Sequence, residues 1–143
     1  MTAPQINGSR VLVGGLAAGL VMNVIDAVTN GMLLGAQWQR EVVALNPDLM
    51  RLAAATSTTG WIIVDFLLGL LLVWLYAAIR PRFGAGPLTA VLAALVVWLI
   101  AHAVYASYVF MGLFSASLIT ASSLGGAVAA LAGGLLGARL YRE

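Results

Sequence analysis

Cysteine and lysine are both absent from this chain, histidine occurs once at position 102, and only 8% of the 143 residues are charged. Without cysteine there is no disulfide framework, no thiolate nucleophile and no thiolate metal site. Seven Arg stand against five acids, for a net charge of +2. That is too sparse for the phosphate contacts of a nucleic-acid binder, so no nucleic-acid partner is expected. One histidine cannot supply both axial ligands of a haem, and no serine lies in a nucleophile-elbow pattern. The residues point away from an enzyme, and no motif indicates a cofactor.

What the chain does have is apolar surface. It is 62% hydrophobic with a mean hydropathy of +1.02, whereas about a quarter of a soluble domain is charged. A helix rising 1.5 Å per residue needs about 20 residues to cross roughly 30 Å of hydrocarbon, so this length accommodates about four spans. The expected fold is all-α: an integral membrane four-helix bundle forming a single transmembrane domain over residues 1–143. Its spans are placed at about 11–34, 57–79, 88–110 and 116–140. The first apolar run is longer than a signal-peptide core and lacks a small-x-small site, so it is expected to be a retained helix. The second span should stop at "RPRFGAGP", where Pro, Gly and charge coincide. Pro87 suits the start of the third.

Between the first two spans, Trp38, Val42 and Leu45 share a helical face opposite Gln39, Arg40 and Glu41. This predicts a short interfacial helical segment, followed by a second one capped by Asn46 and opened by Pro47. Arg10, Arg80, Arg82, Arg139 and Arg142 fall on one side of the spans. Because cytoplasmic flanks retain excess Arg and Lys, both termini are expected in the cytoplasm, and a bacterial inner membrane is the expected location. Trp38, Trp61, Tyr108 and Phe114 then cluster at the opposite boundary.

Helices in lipid gain little from apolar burial against one another, so small residues must let them approach. Gly15 and Gly19 in the first span, Gly69 in the second, and Gly126, Gly133 and Gly137 in the fourth are the candidate packing positions. The fourth span is either the central helix of the bundle or a seam for a second copy or a larger membrane complex. The bilayer is the other expected partner.

An Asp at the bilayer centre costs roughly 2.5 to 3.5 kcal/mol on insertion scales, so its presence calls for a partner or a task. Here there are two, Asp26 and Asp65, and His102 joins them. At 100° per residue Gly19, Asn23, Asp26 and Asn30 form one stripe, and Trp98, His102 and Tyr105 another. Counting from the non-cytoplasmic ends puts Asp26 about 15 Å deep and Asp65 and His102 about 12 Å deep. Ser122 of the fourth span lies at a comparable depth. Two accounts remain open. One is a proton-, cation- or small-polar-ligand site on Asp26, Asp65 and His102, with Asn23, Asn30, Tyr105 and Ser122 around it. The other is a helix-fixing hydrogen-bond network, each pair contributing about 0.6 kcal/mol. A divalent metal on Asp26, Asp65 and His102 is chemically conceivable, although ligands drawn from three helices leave no spacing signature.

The run "GLVMNVIDAVTNGMLLGAQWQREVVAL", with its Gly35, Gln37 and Trp38 exit and three further spans, resembles small four-helix bacterial membrane proteins grouped as domains of unknown function. The resemblance implies the four-span layout and assigns no residue a role. The leading expectation is binding or transport of a proton, cation or small polar molecule. A structural or assembly subunit docking through its fourth helix is the alternative, and a metal or redox membrane enzyme the second alternative.

Overall fold

The computed structural model describes residues 6–54 and 57–141, and these are helical throughout apart from short turns. Arg142, one of the arginines behind the expected orientation, lies outside the described residues. The elements are α1 (Gly8–Asp26), a π-helical segment (Ala27–Leu33), α2 (Gly35–Leu45), α3 (Pro47–Ala54), α4 (Ser57–Phe83), α5 (Pro87–Phe110) and α6 (Ala116–Leu140). Four stretches are long and apolar enough to cross a membrane: Gly8–Leu33, Thr58–Phe83, Pro87–Phe110 and Ala116–Leu140. The chain is an integral membrane protein built as a helical bundle.

Two boundaries depart from the sequence expectation. The first span is not one regular α-helix, because its last seven residues are wound more loosely, with Leu34 N–H donating to the Thr29 carbonyl five residues back at 2.9 Å. The second span runs past Arg80 and Pro81 to Phe83. Proline removes one backbone donor, but the break waits for Gly84, whose φ of +85° favours glycine. There the Gly84 N–H closes the last turn on the Arg80 carbonyl at 2.9 Å. Elsewhere local chemistry acts as the sequence implies. Asn7 accepts from Arg10 N–H at 3.1 Å, Asn46 accepts from Asp48 N–H at 2.9 Å, and Ser115 accepts from Leu118 N–H at 3.3 Å.

α1 packs between α4 and α6, while α5 packs on α6 and α4 from the other side. Small residues set the spacing. A Cβ added at Gly15 or Gly19 would stand 2.7 Å from the backbone of Leu70 or Phe66, and one at Gly69 would meet the backbone of Gly15 and Gly19. These three glycines therefore form a backbone-to-backbone seam between α1 and α4. The α1–α6 seam is similar: a Cβ at Gly133 would lie 2.8 Å from the Ala18 carbonyl, and one at Gly137 2.9 Å from that of Gly14. The glycine stripe of α6 is thus occupied within the bundle, which is the first of the two places expected for it. The core between helices is correspondingly fine-grained, with Ala18, Ala90, Ala93, Ala94 and Ala130 around Leu72 and Val73.

The large side chains point outward. Leu12, Leu16 and Leu20 on α1, Leu67 and Leu71 on α4, Leu99, Ile100 and Val104 on α5, and Leu124 and Val128 on α6 are exposed. Such a continuous apolar jacket would drive aggregation in water and is the normal face of a bundle in hydrocarbon.

Candidate functional site

The polar layer is built where α1 gives way to the π-helical segment. Asp26 ends α1, and Asp65 faces it from α4, one turn from the Gly69 seam that lets the two backbones meet. The two carboxyl groups lie close enough to act on each other. Asp65 is buried, and Asp26 keeps one carboxyl oxygen, Oδ1, fully buried with no hydrogen-bond partner. An unmet buried acceptor is costly and calls for an explanation.

The remaining polar groups lock this layer in place. The Asn23 amide donates to the Gly19 carbonyl at 2.9 Å and across to the Ile62 carbonyl of α4 at 3.3 Å. Asn30 Oδ1 accepts from Ser122 Oγ of α6 at 2.7 Å and from Trp38 Nε1 of α2 at 3.1 Å. One amide oxygen thereby joins three elements. Thr29 lies against Gly125, where any side chain would collide with it. Loosened π-helical winding rotates side chains out of the α-helical register, and here it accompanies Thr29 and Asn30 both meeting α6.

His102 reaches the layer from α5 but does not bond to either carboxyl group. Its Nδ1 pairs with the Trp98 carbonyl at 2.9 Å. A carbonyl only accepts, so the proton is on Nδ1, and Nε2 is the acceptor in the neutral ring. That nitrogen points at Gly126, where an added Cβ would lie 2.5 Å from it. The imidazole is close enough to Asp26 to act on it through space. The hydrogen bond of His102, among the described residues, is to its own helix, one turn back, and not to Asp26 or Asp65. Among the described residues no three His, Asp or Glu side chains form a set able to hold a metal ion. The structure thus brings Asp26 and Asp65 together but does not add His102 as a third ligand.

Above this layer the aromatic residues form a continuous cluster. Tyr105, which lies near both carboxyl groups, contacts His102 at 5.8 Å, Tyr108 at 5.6 Å, and Trp38 and Trp61 at 6.3 Å each, between ring centres. Trp38 also meets Phe114 edge-on at 5.1 Å. Trp98 faces His102 and donates to the Ser123 carbonyl at 2.9 Å. All seven candidate residues, Asn23, Asp26, Asn30, Asp65, His102, Tyr105 and Ser122, therefore fall in one region.

Sequence reasoning missed Trp38 and Thr29 as members of the layer, and it missed Glu41. The Glu41 carboxylate accepts from Ser115 N–H at 2.7 Å and from Ser115 Oγ at 2.6 Å, while Gln37 donates to it at 2.9 Å. Desolvation is the largest single influence and pushes this carboxyl upward, but the hydrogen bonds from Ser115 and Gln37 and the charge of Arg40 together outweigh it and hold the group below the ordinary carboxylate range. A groove of about 660 Å³ lies at the other end of the bundle, lined by Tyr76, Pro87, Ala90, Leu136 and Arg139, and does not reach the polar layer. No protein-family model matches the chain, and comparison with curated proteins and with solved structures finds no match to either.

Proposed function

We propose that this protein binds and exchanges a proton at the Asp26–Asp65 pair and serves in the movement or sensing of protons, or of a small cation that can replace one. The observation that carries this reading is the close approach of two carboxyl groups from different spanning helices, with Asp26 Oδ1 buried and unpartnered beside them. Carboxylate oxygens only accept hydrogen bonds, so a proton has to stand between two that touch. With the proton gone, two like charges face each other in a medium of low dielectric, which favours its return or its replacement by a cation.

His102 and Tyr105 are the groups that connect the pair to the aromatic end. Nε2 of His102 can accept a proton, and Tyr105, whose ring lies 5.8 Å from that of His102, brings a hydroxyl into the neighbourhood of the pair. Intramembrane Asp and His residues are the usual components of proton relays. The arginines Arg10, Arg80, Arg82 and Arg139 support placing the opposite end of the bundle, with both termini, in the cytoplasm. The resemblance to small four-helix bacterial membrane proteins supports a bacterial inner membrane.

The experiment is proton flux in proteoliposomes carrying an internal pH dye, driven by a potassium diffusion potential. Wild-type protein is expected to dissipate the gradient faster than empty vesicles. Asp26→Asn and Asp65→Asn should each return the rate to that of empty vesicles. Equal rates for wild type and both variants would refute the proposal.

A further inference from the structure

α2 is held to the bundle in an unusual way. Its backbone packs closely on α3 and on the π-helical segment, whereas its attachment to the α5–α6 turn is made by side chains. Two sets of side-chain contacts hold α2 down, one on that turn and one reaching the π-helical segment and α5 as well. Glu41 grips Ser115 through both the backbone N–H and the hydroxyl, with Gln37 braced between Glu41 and the Ser115 and Ser117 hydroxyls at 3.3 and 3.4 Å. Trp38 hangs from Asn30 and lies against Tyr105 and Phe114. Asn30 is also the residue that ties the polar layer to α6.

The connection at the near end of α2 is a bend. Leu34, with φ −102° and ψ −5°, separates the π-helical winding from α2. A side chain at Gly31 would meet nothing, and one at Gly35 would make only an ordinary contact with the Asn30 carbonyl. The space at these two glycines is open, and Leu34 itself keeps backbone hydrogen bonds to Thr29, Gln37 and Trp38 about which the bend turns. A short helix that bends at its start, continues into α3 as one packed pair and is fastened to the bundle by side chains is the arrangement of a lid.

We propose that α2 is a lid over the aromatic end of the polar layer, pivoting at Leu34 and held shut by Glu41 on Ser115 and by Trp38 on Asn30. Opening withdraws Trp38 from Tyr105 and uncovers the route through Tyr105 and His102 to the carboxyl pair. Its role as a gate rests on the proton-binding reading above, but its motion does not.

The Ser115 hydroxyl has a double duty that makes the latch directional. It accepts from Leu118 N–H as the cap of α6, which leaves its proton to donate to Glu41. Charge-assisted hydrogen bonds of this kind are strong, but Glu41 is partly solvated, so removing its carboxylate is expected to raise the open population roughly five- to tenfold.

Because the chain has no cysteine, two introduced ones report cleanly. Spin labels at Ala44→Cys on α2 and Met111→Cys on the α5–α6 turn, both at exposed positions, give the lid distance by pulsed electron resonance in nanodiscs. Glu41→Ala and Trp38→Ala should each add a longer distance, about fivefold more populated than in the labelled parent. Gln39→Ala, at an exposed position of α2, should leave the distribution unchanged. An unchanged distribution in both Glu41→Ala and Trp38→Ala would overturn the lid. A second arm locks it: Glu41→Cys with Ser115→Cys, oxidised, should slow proteoliposome proton flux at least fivefold, and reductant should restore it. A locked protein with undiminished flux, in vesicles where Asp26→Asn abolishes flux, would overturn gating. If Asp26→Asn leaves flux unchanged, the proton-binding reading fails and the distance measurement alone decides the lid.

Discussion

Replacing Gly69 with alanine probes the link between helix packing and the carboxyl pair. The added Cβ would lie 2.6 Å from the Gly15 carbonyl oxygen and 2.8 Å from the Gly19 Cα, both backbone atoms that no rotamer change can move. Restoring an ordinary 3.4 Å contact to that oxygen requires α1 and α4 to separate by about 0.8 Å. Overpacking of this kind costs about 1 to 3 kcal/mol, against a helix-propensity gain of up to about 1 kcal/mol for Gly→Ala. The net loss should be about 1 to 2 kcal/mol. Asp65 lies one turn away on the same face, so the separation also pulls it from Asp26. Reversible unfolding in mixed detergent micelles measures the first effect and proteoliposome flux the second. Gly60→Ala is the control: it lies on the same helix, and a side chain there would meet nothing within 4 Å, so it should be neutral or slightly stabilising. If Gly69→Ala is as well tolerated as Gly60→Ala in both assays, the close α1–α4 approach described here is wrong.

Three other outcomes follow from individual contacts. Gly126→Ala places a methyl group 2.5 Å from His102 Nε2, so the ring must turn and give up its bond to the Trp98 carbonyl; nitrogen NMR of His102 should show the Nδ1-protonated tautomer lost or mixed. Asn30→Ala deprives both the Trp38 indole and the Ser122 hydroxyl of their acceptor, which should cost about 1 kcal/mol at about 0.6 kcal/mol per interhelical bond, with a red-shifted tryptophan emission. The Glu41 latch should be acid-labile: its carboxyl is lowered in the closed state, so its contribution is full above the ordinary value of 4.5 and disappears as pH falls through the lowered one. The labelled lid should therefore open on acidification, while a Glu41→Gln protein, which does not titrate there, shows no such step.

The four spans were legible because twenty-odd apolar residues bounded by Arg, Gly and Pro have few other fates. The polar layer was legible in membership, since stripe and depth follow from 100° and 1.5 Å per residue. Its internal pairing was not. Depth placed Asp26, Asp65 and His102 at one level but did not reveal that His102 would spend Nδ1 on the carbonyl of Trp98, four residues back. The π-helical winding over Ala27–Leu33 accompanies what Thr29 and Asn30 meet on α6 and α2, and no local pattern announces it. Pro81 looked like a terminator, yet the helix ended only where Gly84 permitted a left-handed turn. Glu41, on the polar face of an amphipathic helix, looked like a solvated charge, and its partner lies 74 positions away. The fourth helix's small residues were legible as packing positions, inward or toward a second chain, but not which groups they would meet, among them Gly14, Ala18 and His102.

The central claim, that Asp26 and Asp65 hold one proton between them, is tested most directly by infrared spectroscopy of the protein in lipid at neutral pH, with exchange into heavy water. Wild-type protein should show the C=O band of a protonated carboxyl group, shifted on deuteration, and both Asp26→Asn and Asp65→Asn should remove or displace it. A spectrum without that band, or one that neither substitution alters, would contradict the account.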